Sequence, residues 1–364
     1  MAMVPFHFSE DDIFAHLAHR PHYILDSVIS LDESAHLSFM GLQNRHFCPL
    51  GDLGKLPLEI LHESLGYLDL QSISRLSRVS WRGQAVVGSL VAHRDLVKSA
   101  SHTFKALSRA GILALHSVTV LHGALQSENC SSCGAYGAFL LLLSAERCCY
   151  VCLAYNQSQW MISAPSALAS FGLTKPQLKA LPSLRSIPGK YCISPRRSRQ
   201  RSVQLFSVRA VKELALKILG SLEALEEKYP LNYWDHSSSK LDKMRCYRQA
   251  PLLPFAPNLL ASLQAANRYN DEYGGMGTIP FPSMLEGVTQ QGLWCRGCEL
   301  TSENYNVGEL DADTLSQLIP HGCHAGRFLL NMQYRAWSEE AFLQHAKHCH
   351  SAASVISQRW MRLT

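Results

Sequence analysis

The residues best suited to chemistry in this chain are cysteines set in pairs. Cys130 and Cys133 form one Cys-x-x-Cys, Cys149 and Cys152 form a second, and fifteen residues separate the two pairs. A turn of this kind aims two sulfurs at one point, and two such turns complete the tetrahedral thiolate shell that Zn²⁺ takes at about 2.3 Å. Cys148 competes with its neighbour, but only Cys149 keeps the Cys-x-x-Cys spacing to Cys152. A third pair, Cys295 and Cys298, has no matching pair downstream, so its partners must be of another kind. The segment "WSEEAFLQHAKHCH" supplies His345 and Cys349, four residues apart and so on one face of a helix. His348, His350 and the cluster of His321, Cys323 and His324 are alternative donors. Each set fills all four positions with protein atoms, so the expected cofactor is structural Zn²⁺, two ions in all, adding folding energy rather than reactivity.

Composition favours metal ligation over disulfides. The N-terminus "MAMVPFHFSEDDIFAHLAHRP" has no basic lead before an apolar core, which argues against a secretory signal, and no apolar run approaches the roughly 18 to 20 residues of a membrane span. Twelve cysteines in a reducing compartment are better explained by metal or burial than by a disulfide framework. The net charge of +5 on 364 residues is mild, and the one dense basic run, Arg196, Arg197, Arg199 and Arg201, reads as a solvated loop with a weak polyanion signal. Basic residues are not interleaved with aromatics, so a zinc-dependent nucleic-acid binder is the second reading and a nucleic-acid partner is not expected. No GxSxG, HExxH or phosphate-binding loop is present, and Cys192 lacks a histidine nominated by spacing to orient it, so no enzyme activity is expected.

Several elements must position these groups. Ser338 suits an N-cap, with Glu339 and Glu340 at the positive end of the following helix and Phe342 packed behind the metal site. The run "AFLLLL" reads as a buried strand closing the first site. Upstream, Pro57 opens an amphipathic helix with Leu58, Leu61 and Leu65 in its stripe, widened by Ile60 and Leu68 and ended by Gly66. Asp69 caps a second helix with Leu70, Ile73, Leu76 and Val79, and a third runs from Val86 and Val87 through Leu90 and Val91 toward Leu96. Further on, one helix carries Val208, Val211, Leu214, Ile218 and Leu222, and "NRYNDEYGGMGTIPFP" reads as a loop. The expected fold is α+β and mainly helical. It comprises an N-terminal extension (1–50), a three-helix module (51–98), a zinc-ribbon-like region (99–160), a mixed helical and loop region (161–290) and a C-terminal zinc-binding region (291–352).

The stretch "LPLEILHESLGYLDLQSISRLSRVS" closely resembles the F-box, over roughly residues 53–98. The resemblance implies docking onto the adaptor of an SCF-type ubiquitin ligase, with Leu56, Pro57, Ile60, Leu61 and Leu65 at the adaptor interface. The later segments are similar to those of a lineage of F-box proteins common in filamentous fungi: a Cys-x-x-Cys soon after the box, a further one following an apolar run, "LPSLRSIPGKY", "GLWCRGC" and "FLQHAKHC". That likeness implies a substrate receptor for an unknown target protein, cytoplasmic or nuclear, with no active site of its own and no membrane partner.

Overall fold

The computed structural model describes residues 8–31, 50–191, 197–199, 201–231, 238–252 and 273–363. Cys192 and Arg196 lie outside them, while Arg197 and Arg199 belong to a strand (Arg197–Arg199) paired with Gly189–Tyr191. The fold is α+β and mainly helical, with short antiparallel strands. Among the described residues no helix is long and apolar enough to cross a membrane.

The N-terminal segment contains a two-residue strand, β1 (Ala18–His19). The helical module follows as α1 (Leu58–Gly66), α2 (Leu70–Val79), α3 (Trp81–Ser89) and α4 (Val91–Ser99), continued by α5 (Ser101–Arg109) and α6 (Val118–Gln126). Asp69 caps α2, its carboxylate accepting the Ser72 N–H at 2.9 Å, and Ser80 caps α3 by accepting the Gly83 N–H at 3.0 Å. The single third helix expected through Leu96 is two helices, α3 and α4. Leu90 turns extended (φ −68°, ψ 107°) and buries its side chain in the core, and the Ser89 hydroxyl donates to the Val86 carbonyl at 2.9 Å. Val79 also departs from expectation. A spacing of three drifts around a 3.6-residue helix, so Leu70 and Ile73 are buried while Val79 is exposed.

The strand expected at "AFLLLL" forms as β2 (Phe139–Leu141), antiparallel to β3 (Arg147–Cys148), with α7 (Tyr150–Tyr155) directly after. Its alternation divides the molecule: Phe139 and Leu141 face the cluster around the first cysteine quartet, whereas Leu140 faces the core of α1 to α6. That core runs without a break from Leu61, Leu65 and Ile73 through Phe104 and Leu121 to Leu140, Ile279 and Phe281, so the helical module is fused to the sheet. A second sheet, β4 (Met161–Ser163), β5 (Leu184–Arg185) and β6 (Gln204–Ser207), has the order β4-β6-β5 and packs under α8 (Val208–Leu219) around Trp160, Phe171 and Tyr247. The helix expected to reach Leu222 stops at Gly220, whose φ of 91° ends it, and Ser221 caps the next one.

The glycine-rich stretch read as a loop ends in a strand. β7 (Thr278–Pro280) adds to β2 with Leu140 opposite Ile279, because its backbone completes the ladder on the free edge of β2. A hairpin, β8 (Ser283–Leu285) with β9 (Val288–Gln290), leads to β10 (Trp294–Cys295). β10 pairs with β1, Ala18 opposite Cys295, which carries the N-terminal segment into the C-terminal unit of α9 (Arg296–Asn306), α10 (Ala325–Tyr334), α11 (Glu339–Ala346) and α12 (Ala352–Leu363).

Candidate metal centres and docking surface

Cys130, Cys133, Cys149 and Cys152 are brought together, their sulfurs all within 4.8 Å of one another. The Cys133 and Cys149 sulfurs are 3.6 Å apart, close to the edge of about 3.8 Å for a tetrahedron with metal–sulfur bonds of about 2.3 Å. The first pair sits on a turn closed by the Gly134 N–H on the Cys130 carbonyl (3.0 Å) and the Cys130 N–H on the Ala135 carbonyl (2.7 Å). The second pair opens α7: Cys149 is its N-cap and its sulfur accepts the Cys152 N–H at 3.4 Å. A helix N-terminus favours thiolate, which offsets part of the cost of burying charged sulfurs here. Cys148 stays out of the quartet although it is fully buried in the same cluster, where it lies opposite Phe139 in the strand ladder.

Cys295, Cys298, His345 and Cys349 form the second group, again within 4.8 Å. Cys295 is the N-cap of α9 and Cys298 lies in its first turn, repeating the arrangement of α7. The Cys295 and Cys349 sulfurs are 3.6 Å apart, and the Cys298 sulfur is 3.2 Å from His345 Nε2. His345 and Cys349 do not share a helical face, because α11 ends at Ala346. His345 leaves from its last turn and Cys349 from the turn beyond, held by the Ala352 N–H on the Cys349 carbonyl at 3.1 Å. Ser338 occupies the N-cap position, but its hydroxyl makes no capping bond; Phe342 is fully buried behind the site as expected. His348, His350, His321, Cys323 and His324 are all exposed and outside the group. The ten described cysteines form no disulfide.

The electrostatics fit a cation at each centre. Hydrogen bonds from Cys133, Cys149 and Cys152 hold the Cys130 thiol far below its usual range, and the same pairing with Cys130, with burial added, pushes Cys149 and Cys152 well above theirs. Cys295 is likewise held low by Cys298 and Cys349, which are pushed up in turn by Cys295. Sulfurs this close cannot all ionise by themselves; drawing off the remaining protons needs a positive charge among them.

Residues the sequence reading did not single out surround both centres. Arg147, buried, donates to the carbonyls of Gly137 (2.9 Å), Ala124 (3.0 Å), Pro282 (2.7 Å) and Phe281 (3.1 Å), tying β3 to α6 and β7. Burial lowers its pKa to about 10, and no carboxylate pairs with it among the described residues. Ile24 and Val28 pack in the cluster of the first quartet, Ile13 and Leu17 in that of the second. Each pair is spaced by four residues, the one signal that could have nominated them.

On the helical module the five residues expected at a docking surface divide into two sets. Leu56 and Ile60 are 41% and 47% exposed and Pro57 is exposed too, joined by Leu53 and Leu58. Leu61 and Leu65 are only 3% and 6% exposed. These two lie in the core: α1 is apolar on more than one side, and the face carrying Leu61 and Leu65 closes onto α2 to α6, leaving the row at its N-terminal end uncovered.

Fold and sites together define a helical interaction module fused to a unit built around two cysteine-rich metal-type quartets. The family model of the F-box domain matches residues 53–88, covering α1, α2 and most of α3. No curated protein and no solved structure matches the chain.

Proposed function

We propose that this chain is a substrate receptor of an SCF-type ubiquitin ligase. The observation that carries the reading is the uncovered apolar row of Leu53, Leu56, Pro57, Leu58 and Ile60 on the segment that matches the F-box. Contiguous apolar surface of this kind marks a partner site, and the partner of an F-box is the ligase adaptor. Leu61 and Leu65 support the row from beneath and make no part of the contact. The two quartets hold structural Zn²⁺, one ion on Cys130, Cys133, Cys149 and Cys152 and one on Cys295, Cys298, His345 and Cys349. With every position filled by protein, neither ion offers a site for catalysis. The chain performs no bond-making step; the conjugating subunits of such ligases lie elsewhere in the complex. Its role is to hold a target protein at a fixed distance from the adaptor, in the cytoplasm or nucleus where these ligases act. The continuous core from Leu61 to Phe281 supports that rigidity.

The test is co-purification with the adaptor. Ile60→Asp abolishes it while zinc content and melting stay unchanged. Leu61→Ala, by contrast, costs about 2–5 kcal/mol of stability, the usual range for a buried leucine. Adaptor binding that survives both Leu56→Asp and Ile60→Asp would sink the reading.

A further inference from the structure

Arg335 stands near donors of both quartets. It follows the last residue of α10 and extends its guanidinium over the Trp337 ring, 4.1 Å from the centroid. The other end of this stack reaches the second quartet, since Trp337 is stacked on the His345 ring with centroids 4.5 Å apart and planes 12° from parallel. Arg335 also shares the wall of a cavity of about 320 Å³ with Cys133 and Cys149 of the first quartet. Burial pushes the guanidinium pKa down, and the thiols of Cys133, Cys149 and Cys298 push it back up, so donors of both centres act on it. Among the described residues no carboxylate pairs with it.

Arg335 is exposed, and the charges at the two centres give its cation something to balance. Four thiolates around a dication leave two negative charges in excess, and three thiolates with a neutral imidazole leave one. Excess charge in a partly dry interior is costly unless a positive group stands close. An arginine suits the place better than a lysine, because its planar cation stacks on an indole face.

We propose that Arg335 is a shared counter-ion of both metal centres, setting the zinc affinity of each from outside the ligand shell. The proposal rests on the reading that both quartets hold Zn²⁺. Arg335 is a positioning and charge-balancing residue. It touches the first centre through its charge and the second through the Trp337 and His345 stack. Removing the charge raises the cost of the thiolates in both quartets at once; removing the planarity alone disturbs chiefly the second.

The experiment is a competitive zinc titration of the full chain against a chromophoric chelator. Cobalt(II) spectra assign each step, because four-sulfur and three-sulfur-one-nitrogen sites absorb differently. Arg335→Met keeps the stem over Trp337 and is expected to weaken zinc at both centres by about 10-fold to 100-fold, the range for outer-shell partners of metal ligands. Arg335→Lys restores most of the affinity at the first centre. Weakening confined to the second centre, or native affinity at both in Arg335→Met, overturns the proposal while leaving the zinc reading intact. A native chain that binds neither zinc nor cobalt overturns the zinc reading, and the proposal with it.

Discussion

The two quartets are built by one device over different spans of chain. In each, a strand delivers a cysteine to the N-cap of a helix and the next donor follows in its first turn: β3 into α7 for the first, β10 into α9 for the second. The remaining donors differ. Cys130 to Cys152 covers 23 residues, whereas Cys295 to Cys349 covers 55. Chain entropy hardly separates them, because lengthening a closed loop by that ratio costs only about 0.8 kcal/mol. What separates them is the packing behind each site. The first quartet backs onto β2, whose other face belongs to the core of α1 to α6. The second backs onto Ile13 and Leu17 from the N-terminal segment and Ile356 from α12, and shares no strand with the helical module. One centre is therefore a keystone between module and remainder, and the other clasps the two ends of the described chain.

The largest effects follow from losing a ligand. A structural zinc supplies on the order of 10–16 kcal/mol near neutral pH, as much as the whole net stability of a typical domain. Cys149→Ser and Cys298→Ser should each lower the zinc content measured by elemental analysis by one ion. Their consequences should differ in reach. Through β2, Cys149→Ser speeds amide hydrogen exchange in α1 to α6 as well as around its own site. Cys298→Ser speeds it in α9, α11 and α12 and leaves the helical module protected. Equal exchange in the module for both variants would break the comparison.

Smaller effects come from the apolar supports. Leu17 is fully buried against Cys295, Cys298 and Phe342, and Leu17→Ala should cost about 2–5 kcal/mol. The readout is chelator-driven zinc release, faster at the second centre and unchanged at the first. Ile24→Ala is the mirror image, since Ile24 is fully buried in the cluster of Cys130, Cys149 and Cys152. Accelerated release at both centres from either variant would mean that the N-terminal segment acts as one support.

The donors themselves were legible because a Cys-x-x-Cys turn is local: its geometry is fixed by three peptide units whatever surrounds it. The capping Asp69 and the apolar run of β2 were legible for the same reason. The supports were not. Ile13 and Leu17 take their meaning from segments nearly three hundred residues away, Ile24 and Val28 from a quartet more than a hundred residues away, and nothing in their own neighbourhood states it. The strand at Thr278–Pro280 exists because β2 has a free edge, a fact absent from its own glycine-rich sequence. Leu61 and Leu65 were expected at the adaptor surface by resemblance and are buried, for a related reason. A short helix with Leu58, Ile60, Leu61 and Leu65 is apolar on both its own-core side and its partner side, and periodicity gives no way to tell them apart. Cys349 was found by its type, although the helix expected to hold it ends at Ala346 and the following turn completes the reach.

The finest comparison uses one glycine from each centre. Gly297 lies between Cys295 and Cys298, and a Cβ there would stand 2.6 Å from the Cys349 sulfur and 3.2 Å from the Ala352 nitrogen. Neither neighbour can retreat: the sulfur is a donor of the quartet, and the nitrogen holds the turn that presents it. Gly297→Ala should therefore push the fourth donor outward and weaken zinc at the second centre by about tenfold, the effect expected when support of a ligand is lost. Gly134, at the first centre, has open space where a Cβ would go, so its only requirement is backbone, with φ at 72°. A left-handed alanine costs roughly 1–2 kcal/mol, and that cost falls on the turn holding Cys130 and Cys133 without moving a sulfur. Gly134→Ala should thus lower thermal stability slightly while zinc affinity at the first centre changes by less than Gly297→Ala changes it at the second. The reverse order would mean that the Cys130 turn, rather than the packing against Cys349, is the more exacting of the two geometries.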